Sequence, residues 1–149
     1  MSHQSFANSF SFFAQFSYND KILKYYLQSV KLPDVITGEI VFQKKGKHAK
    51  AIGDSKELGT IPLEFILDEN WDVYTTLLDI QENYRKTLKT IDAFEIYIQN
   101  NKNVNILKFV FDGVFFVNVM GPQLDTRTQE TTVIVPVDIS FFDWRIERL

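Results

Sequence analysis

The stretch IPLEFILDENWDVYTTLLDIQENYRKTL, residues 61–88, decides how the rest of the chain is read. It opens as a strand. Ile61, Leu63, Phe65 and Leu67 alternate with Pro62, Glu64 and Ile66, which puts the first set on one face. The period then changes. Trp71, Tyr74, Leu77, Leu78, Gln81, Tyr84 and Leu88 recur three or four apart, one stripe of an α-helix over about residues 69–88. Asp68-Glu69-Asn70 sits at the switch. Asp68 or Asn70 can accept hydrogen bonds from the first free amides of the helix, and acidic charge suits the positive end of its dipole. Arg85, Lys86 and Lys89 gather at the other end, where cations are favoured. No other stretch reads as a convincing helix, so the remainder is expected to be sheet packed around this one.

Residues 1–9 are small and polar and are expected to form a flexible arm. Phe10, Phe12, Ala14 and Phe16 alternate with Ser11, Phe13, Gln15 and Ser17. After the turn signal Asn19-Asp20, Leu23, Tyr25 and Leu27 alternate with Lys24, Tyr26 and Gln28, a hairpin partner that Pro33 ends. Residues 33–60 make a long excursion with little apolar mass. Strands over Ile36–Phe42 and His48–Ile52 flank the basic turn Lys44-Lys45-Gly46-Lys47, an extended loop or hairpin arm. Beyond the helix, Phe94, Ile96 and Ile98 alternate with Glu95, Tyr97 and Gln99. Asn100 to Asn103 is a turn, and Asn105 to Phe111 returns. Asp112-Gly113 reads as a two-residue hairpin turn. Val114 to Met120 is apolar on both faces, which suits a central strand or one that meets a neighbouring subunit. In the last run Val133, Val135, Val137, Ile139 and Phe141 share one face. Pro136 within it argues for an edge or a bulge, and Trp144 anchors the tail. The sum is about eight strands and one inserted helix. The expected fold is mainly β (α+β), one domain over residues 1–149: a two-layer β-sandwich or partly closed barrel with the helix flanking it.

Fourteen Phe and six Tyr favour pleated, half-buried surfaces. The net charge of −3 gives no general argument for nucleic-acid binding, although DNA can pass such a protein without being gripped. Without cysteine there are no disulfides, no thiol catalysis and no Cys-ligated metal. No hydrophobic run reaches membrane-spanning length, so no membrane anchoring is expected. The start Met-Ser-His-Gln-Ser has no basic segment followed by an apolar one, so a cytoplasmic protein is expected.

Chemistry is hard to find. His3 lies in the N-terminal arm. His48 sits among Lys45, Lys47 and Lys50 with no acidic residue at ligand spacing, and no His/Asp/Glu cluster has metal-site spacing. G-x-S-x-G is missing, and Gly46-Lys47 lacks the rest of a P-loop. The expectation is a protein that is not an enzyme and carries no cofactor. The basic run Lys44, Lys45, Lys47, His48 and Lys50 has two readings: a solvated hairpin tip kept from edge aggregation by its lysines, or an electrostatic contact to an acidic partner surface or phosphate. The aromatics a single-strand-binding site needs are not interleaved with it. Phe13, Tyr26, Tyr97, Phe115, Val117 and Val119 fall on what should be outer strand faces. A second sheet can cover them, or identical neighbours can, in a ring or fibre. A monomeric ligand-binding β-barrel, with aromatics lining a pocket, is the competing class.

The order of these motifs resembles the tail tube proteins of contractile-tailed bacteriophages, a family that includes baseplate tube initiators. Three pieces carry the likeness: the strand pair from Asn8 to Pro33 with Gly38 soon after; Ile52-Gly-Asp54 leading into Ile61–Phe65 and then Leu67-Asp-Glu-Asn-Trp-Asp-Val-Tyr74; and the closing strand from Thr132 to Ile146 with Phe142-Asp143-Trp144. The segment between Leu88 and Phe94 is short where many relatives carry an insert. The resemblance implies a virion structural protein of the tail, assembled in the host cytoplasm. Six copies would form a hexameric ring whose inner sheets join into a β-barrel around a lumen. Rings would stack into a tube inside a sheath protein and on baseplate hub proteins. The tube would hold the tape-measure protein and later conduct DNA. Lys44, Lys45, Lys47, His48, Lys50 and Asp54 would be inter-ring contacts; Phe13, Tyr26, Tyr97, Phe115, Val117 and Val119 would be intra-ring contacts. A baseplate tube initiator or a tail-terminator ring of the same fold is an alternative role, as is the related tube component of a bacterial secretion or injection machine.

Overall fold

The computed structural model describes residues 11–33, 39–44, 47–52, 60–124, 126 and 132–149, with backbone alone for 39–44 and 47–52. The strands are β1 (Phe12–Tyr18), β2 (Lys21–Val30), β3 (Glu39–Lys44), β4 (Lys47–Ile52), β5 (Thr60–Ile66), β6 (Phe94–Gln99), β7 (Asn105–Asp112), β8 (Phe115–Val119), β9 (Ile134–Ser140) and β10 (Asp143–Arg148); the helix α1 spans Asp72–Thr87. Eight strands form one sheet in the order β10-β7-β6-β1-β2-β5-β9-β8, and β3 pairs with β4 in a separate two-stranded sheet. All the pairings are antiparallel.

This sheet is curled but not closed. Strands β7 and β8 are joined through Gly113, yet they lie near opposite ends of the sheet order. A connection so short between such distant strands requires the sheet to bend back on itself. Asp112-Gly113 is therefore not the hairpin turn that its sequence suggests. The seam is tied at this end. Ile91 and Val114 exchange both backbone hydrogen bonds, at 2.8 and 2.9 Å, and the Phe142 amide donates to the Asp112 carbonyl at 2.9 Å. The Asp112 carboxylate accepts from the Ala93 amide at 3.2 Å and from Arg145 at 3.1 Å. Asp112 thus holds three chain segments at one corner.

The interior is filled mainly by aromatic and branched side chains. Phe16 stacks on Phe94 with centroids 4.9 Å apart, and Phe116 meets both edge-on at 6.4 and 6.5 Å. These three rings come from β1, β6 and β8, so they bring the β8 edge against the middle of the sheet across the core. Phe65, Phe111, Leu63 and Ile96 are fully buried around them.

Helix α1 presses Val73, Leu77 and Ile80 into this core. The buried stripe is rotated from the one the sequence suggests. Leu78 is exposed, and Leu88 lies past the helix in a left-handed cap whose amide donates to the Tyr84 carbonyl at 2.7 Å. Helical spacing alone cannot tell whether Leu77 or Leu78 faces inward; the sheet beneath decides. The entry matches expectation. Asp68 accepts hydrogen bonds from the Val73 amide at 3.0 Å and the Asp72 amide at 3.2 Å. These bonds, the Val73 one first, hold its carboxyl below the usual range. A lowered folded value means the contribution is complete above the unfolded value and is lost as pH falls through the folded one. Asp68→Ala should lower stability by about 1 kcal/mol at neutral pH, as for other lost helix caps. Denaturant melts should show the gap to wild type narrowing in acid; a gap that does not change with pH would refute the capping role.

The last run differs from expectation too. It is two strands, because the chain turns at Phe141-Phe142: β9 lies beside β8, and β10 forms the opposite edge on β7. Strand β9 is interior despite Pro136. The Pro136 carbonyl accepts from the Met120 amide at 2.9 Å, beyond the end of β8. Its ring nitrogen faces the same side, where the neighbouring strand has already ended, so no ladder bond is lost. Pro62 follows the same rule: its carbonyl takes the Lys31 amide just past the end of β2.

Candidate assembly surfaces

Register places the outer-face candidates. Across β2, β1, β6, β7 and β10, Tyr26, Phe13, Tyr97, Lys108 and Glu147 stand opposite one another in a row. Directly opposed residues share a face, and this one points away from the main core. Phe13 is nevertheless almost fully buried. Tyr97 stacks on it at 5.0 Å, Tyr26 meets it edge-on at 6.0 Å, and the Lys24 ammonium sits 4.3 Å over its ring. The face supplies its own cover, a source that the sequence reading did not weigh. Tyr26 remains half exposed.

The row continues as an ion ladder. Lys108 lies between Glu147 at 3.1 Å and Glu95 at 3.5 Å, and Arg145 bridges Glu147 at 3.2 Å and Asp112 at 3.1 Å. Hydrogen bonds from Lys108 and then Arg145 hold the Glu147 carboxyl low. Its bond to Glu147 in turn raises Lys108. Burial, then the 2.5 Å hydrogen bond it donates to Glu95, pushes the Tyr97 hydroxyl up. The three strands that supply these residues, β6, β7 and β10, include segments far apart in sequence, and strand pairing brings them together.

The other three candidates lie on β8. Phe115 stacks on Tyr84 of α1 at 4.6 Å, and Gln81 donates to the Val117 carbonyl at 3.2 Å. Val117 is the extra residue of a bulge: Phe116 pairs with Ile139 and Asn118 with Asp138. A bulge re-aims a side chain, and Val117 stands exposed, while Val119 packs against the core. The structure therefore gathers Phe13, Tyr26 and Tyr97 on one face and places Phe115 and Val117 on β8, but Val119, opposite buried Val137, lies on the core face and not on the outer face that the sequence suggests, because the bulge at Val117 shifts the alternation. Strand β8 is an edge, not a central strand.

In the basic arm, Lys44 pairs with Lys47, His48 with Gln43 and Lys50 with Val41 in the β3–β4 ladder. Lys45, Asp54 and residues 1–9 lie outside the described residues. Among the described residues no group of three or more His, Cys, Asp or Glu side chains is placed to hold a metal ion, and no helix is long and apolar enough to cross a membrane. A groove of about 580 Å³ opens at one mouth of the curled sheet, lined by Phe12, Gln28, Ser29, Val30, Leu32 and Ile98. The aromatics of a ligand-binding barrel would surround a pocket; here Phe16, Phe94 and Phe116 pack on one another.

Neither a protein-family model nor a curated protein matches the sequence. Solved structures do match the fold. The chain is similar to a component of the anti-feeding prophage tube-terminating cap, with 13% identity, TM-score 0.66, and 100% of this chain and 95% of that one covered. It is similar to a component of the anti-feeding prophage baseplate, with 12% identity, TM-score 0.64, and 99% and 97% covered. It is also similar to Hcp1 from Salmonella typhimurium, with 14% identity, TM-score 0.58, and 94% and 87% covered. The chain has the Hcp and tail-tube fold: mostly strands in one curled, open antiparallel sheet with a single helix.

Proposed function

We propose that this chain is a structural subunit of the inner tube of a contractile tail. One observation supports the reading: the fold matches, over nearly the full length of both chains, components of an anti-feeding prophage baseplate and cap and of the sheath/tube terminator of an extracellular contractile injection system. The role is non-enzymatic. Six copies form a ring around a lumen, and rings stack within a sheath and on baseplate hub proteins. In a phage virion, assembled in the host cytoplasm, the lumen holds the tape-measure protein and passes DNA. Tyr26 and Tyr97, lying over Phe13, on one surface and Phe115 and Val117 on another supply two unlike patches. A head-to-tail ring needs two such patches, whereas a two-fold dimer needs one.

The arm over residues 33–60 reaches the next ring, with Lys44, Lys45, Lys47, His48, Lys50 and Asp54 at the contact. Changing Lys44, Lys45 and Lys47 to Glu should abolish stacking and leave folded rings, and wild-type stacking should weaken with salt. Normal tubes from the triple variant would remove the arm from the stacking contact. A second role has its own support. Two of the similar structures come from a tube-terminating cap and a baseplate, which favours an end ring of the tube as the runner-up. Negative-stain electron microscopy of the purified protein over a range of concentrations tests both. Stacked tubes mean the main tube, and single rings mean an end ring. Monomers at every concentration would overturn the assembly reading.

A further inference from the structure

Of the six glycines in the chain, Gly113 is the one that follows an Asp or an Asn. An Asp-Gly bond carries chemistry of its own. The Gly amide nitrogen can attack the carbonyl carbon of the Asp side chain and expel water, which leaves a cyclic imide. Water then adds back at either imide carbonyl. Opening at one restores Asp; opening at the other gives isoaspartate, in which the main chain runs through the side-chain carbon. One water leaves and one returns, so no other reactant is needed. Glycine favours the attack because no Cβ stands beside its nitrogen.

The structure restrains both partners in this reaction. The Ala93 amide donates to one carboxylate oxygen of Asp112 at 3.2 Å, and Arg145 donates to the other at 3.1 Å. With both oxygens held, the carboxyl group cannot rotate without breaking a hydrogen bond. The Phe142 amide donates to the Asp112 carbonyl at 2.9 Å. That carbonyl belongs to the same peptide group as the Gly113 nitrogen, so the nucleophile is fixed as well. Two of these three donors, Phe142 and Arg145, come from the turn into β10 and from β10 itself. Strand β10 is an edge with β7 as its only strand neighbour. Edge elements of this kind open locally at a lower cost than the core. The Asp112 side chain is partly exposed, so water reaches it.

We propose that Asp112–Gly113 is a latent site of isoaspartate formation gated by β10: the docked strand holds it shut, and release of Phe142 and Arg145 opens it. Arg145 acts as a positioning residue and takes no part in the bond changes. Isoaspartate lengthens the main chain by a methylene at the corner where Ile91 and Val114 exchange hydrogen bonds. The corner then cannot close in its original geometry, and a transient opening of the sheet edge becomes permanent. This inference concerns the single chain and does not depend on the assembly reading.

Peptide mapping by mass spectrometry of protein stored in warm neutral buffer tests it. Isoaspartate at residue 112 is read from fragment ions and from lost cleavage by an Asp-specific protease. It should form fastest in urea-unfolded wild type and slowest in folded wild type. Arg145 is half exposed on the outer face, so Arg145→Ala should keep the wild-type circular dichroism spectrum. That variant, still folded, should isomerise about fivefold faster than wild type, the factor set by the net restraint of one hydrogen bond. Asp68→Ala, which weakens the fold at the helix start far from this corner, should isomerise at the wild-type rate. Equal acceleration by both variants would assign the gate to global unfolding and overturn the proposal. Equal rates in wild type and Arg145→Ala, or in folded and unfolded wild type, would overturn it as well.

Discussion

Phe94→Ala should remove about 3–5 kcal/mol of stability, the range for deleting a fully buried Phe side chain. Phe94 has no exposed surface. It stacks on Phe16 of β1, meets Phe116 of β8 edge-on, and stands opposite Phe111 of β7. Its ring therefore joins strands that are distant in the sheet order and hold the curl together. Single domains have about 5–15 kcal/mol in all, so this one truncation takes a large share. At this chain length the melting temperature should fall on the order of 10 °C. The cavity lies between two parts of one curled sheet that are tied at the Gly113 corner, so collapse into it is restricted. Phe13→Ala is the informative contrast. Phe13 is just as buried, but it lies on the outer face, where Tyr26, Tyr97 and water can move into the space, so its loss should be smaller. Equal losses from thermal and urea melts would mean that Phe94 has no special place in closing the sheet.

The second large effect is at Gly113. Its φ is +67°, and a Cβ built there would lie 2.1 Å from Cδ2 of Phe142. Two separable penalties follow for Gly113→Ala. The left-handed backbone costs an L-residue roughly 1–2 kcal/mol, and the methyl group displaces the Phe142 ring. Phe142 is 68% exposed, so its ring can swing toward solvent. The total should be about 1–3 kcal/mol. A double-mutant cycle separates the parts. Phe142→Ala alone should be nearly neutral, and added to Gly113→Ala it should recover the steric part while the backbone part remains. Full recovery would show that the backbone at this corner is not strained by a side chain. No effect from Gly113→Ala would mean that the corner does not need its glycine.

The strand-to-helix stretch was legible because its signals are local. Alternation from Ile61 to Phe65, the Asp68 cap and the cations of the last turn each act within a few residues, and each appears where the sequence puts it. The same holds for the β1–β2 turn, where Asn19 and Asp20 both take positive φ, and for the β6–β7 hairpin. Asp112-Gly113 misled because a positive-φ glycine permits a sharp turn without stating which strands it joins. Only the curl of the whole sheet sends β7 and β8 to opposite ends. Pro136 misled for a similar reason: a proline forbids a ladder bond on one side, and where the neighbouring strand stops is a fact of three dimensions. Alternation put Phe13, Tyr26 and Tyr97 on one face, and strand pairing does the same. The core-facing position of Val119 beyond the bulge, the covering of Phe13 by Tyr97 and Lys24, and the Lys108 ladder were not legible, because cross-strand neighbours are set by register between segments far apart in the chain. The sequence by itself determined the inward alternation of strands such as β5 and the place where strand gives way to helix. Tertiary structure decided which strands become edges and which side chains meet across them, because those depend on how one sheet closes upon itself.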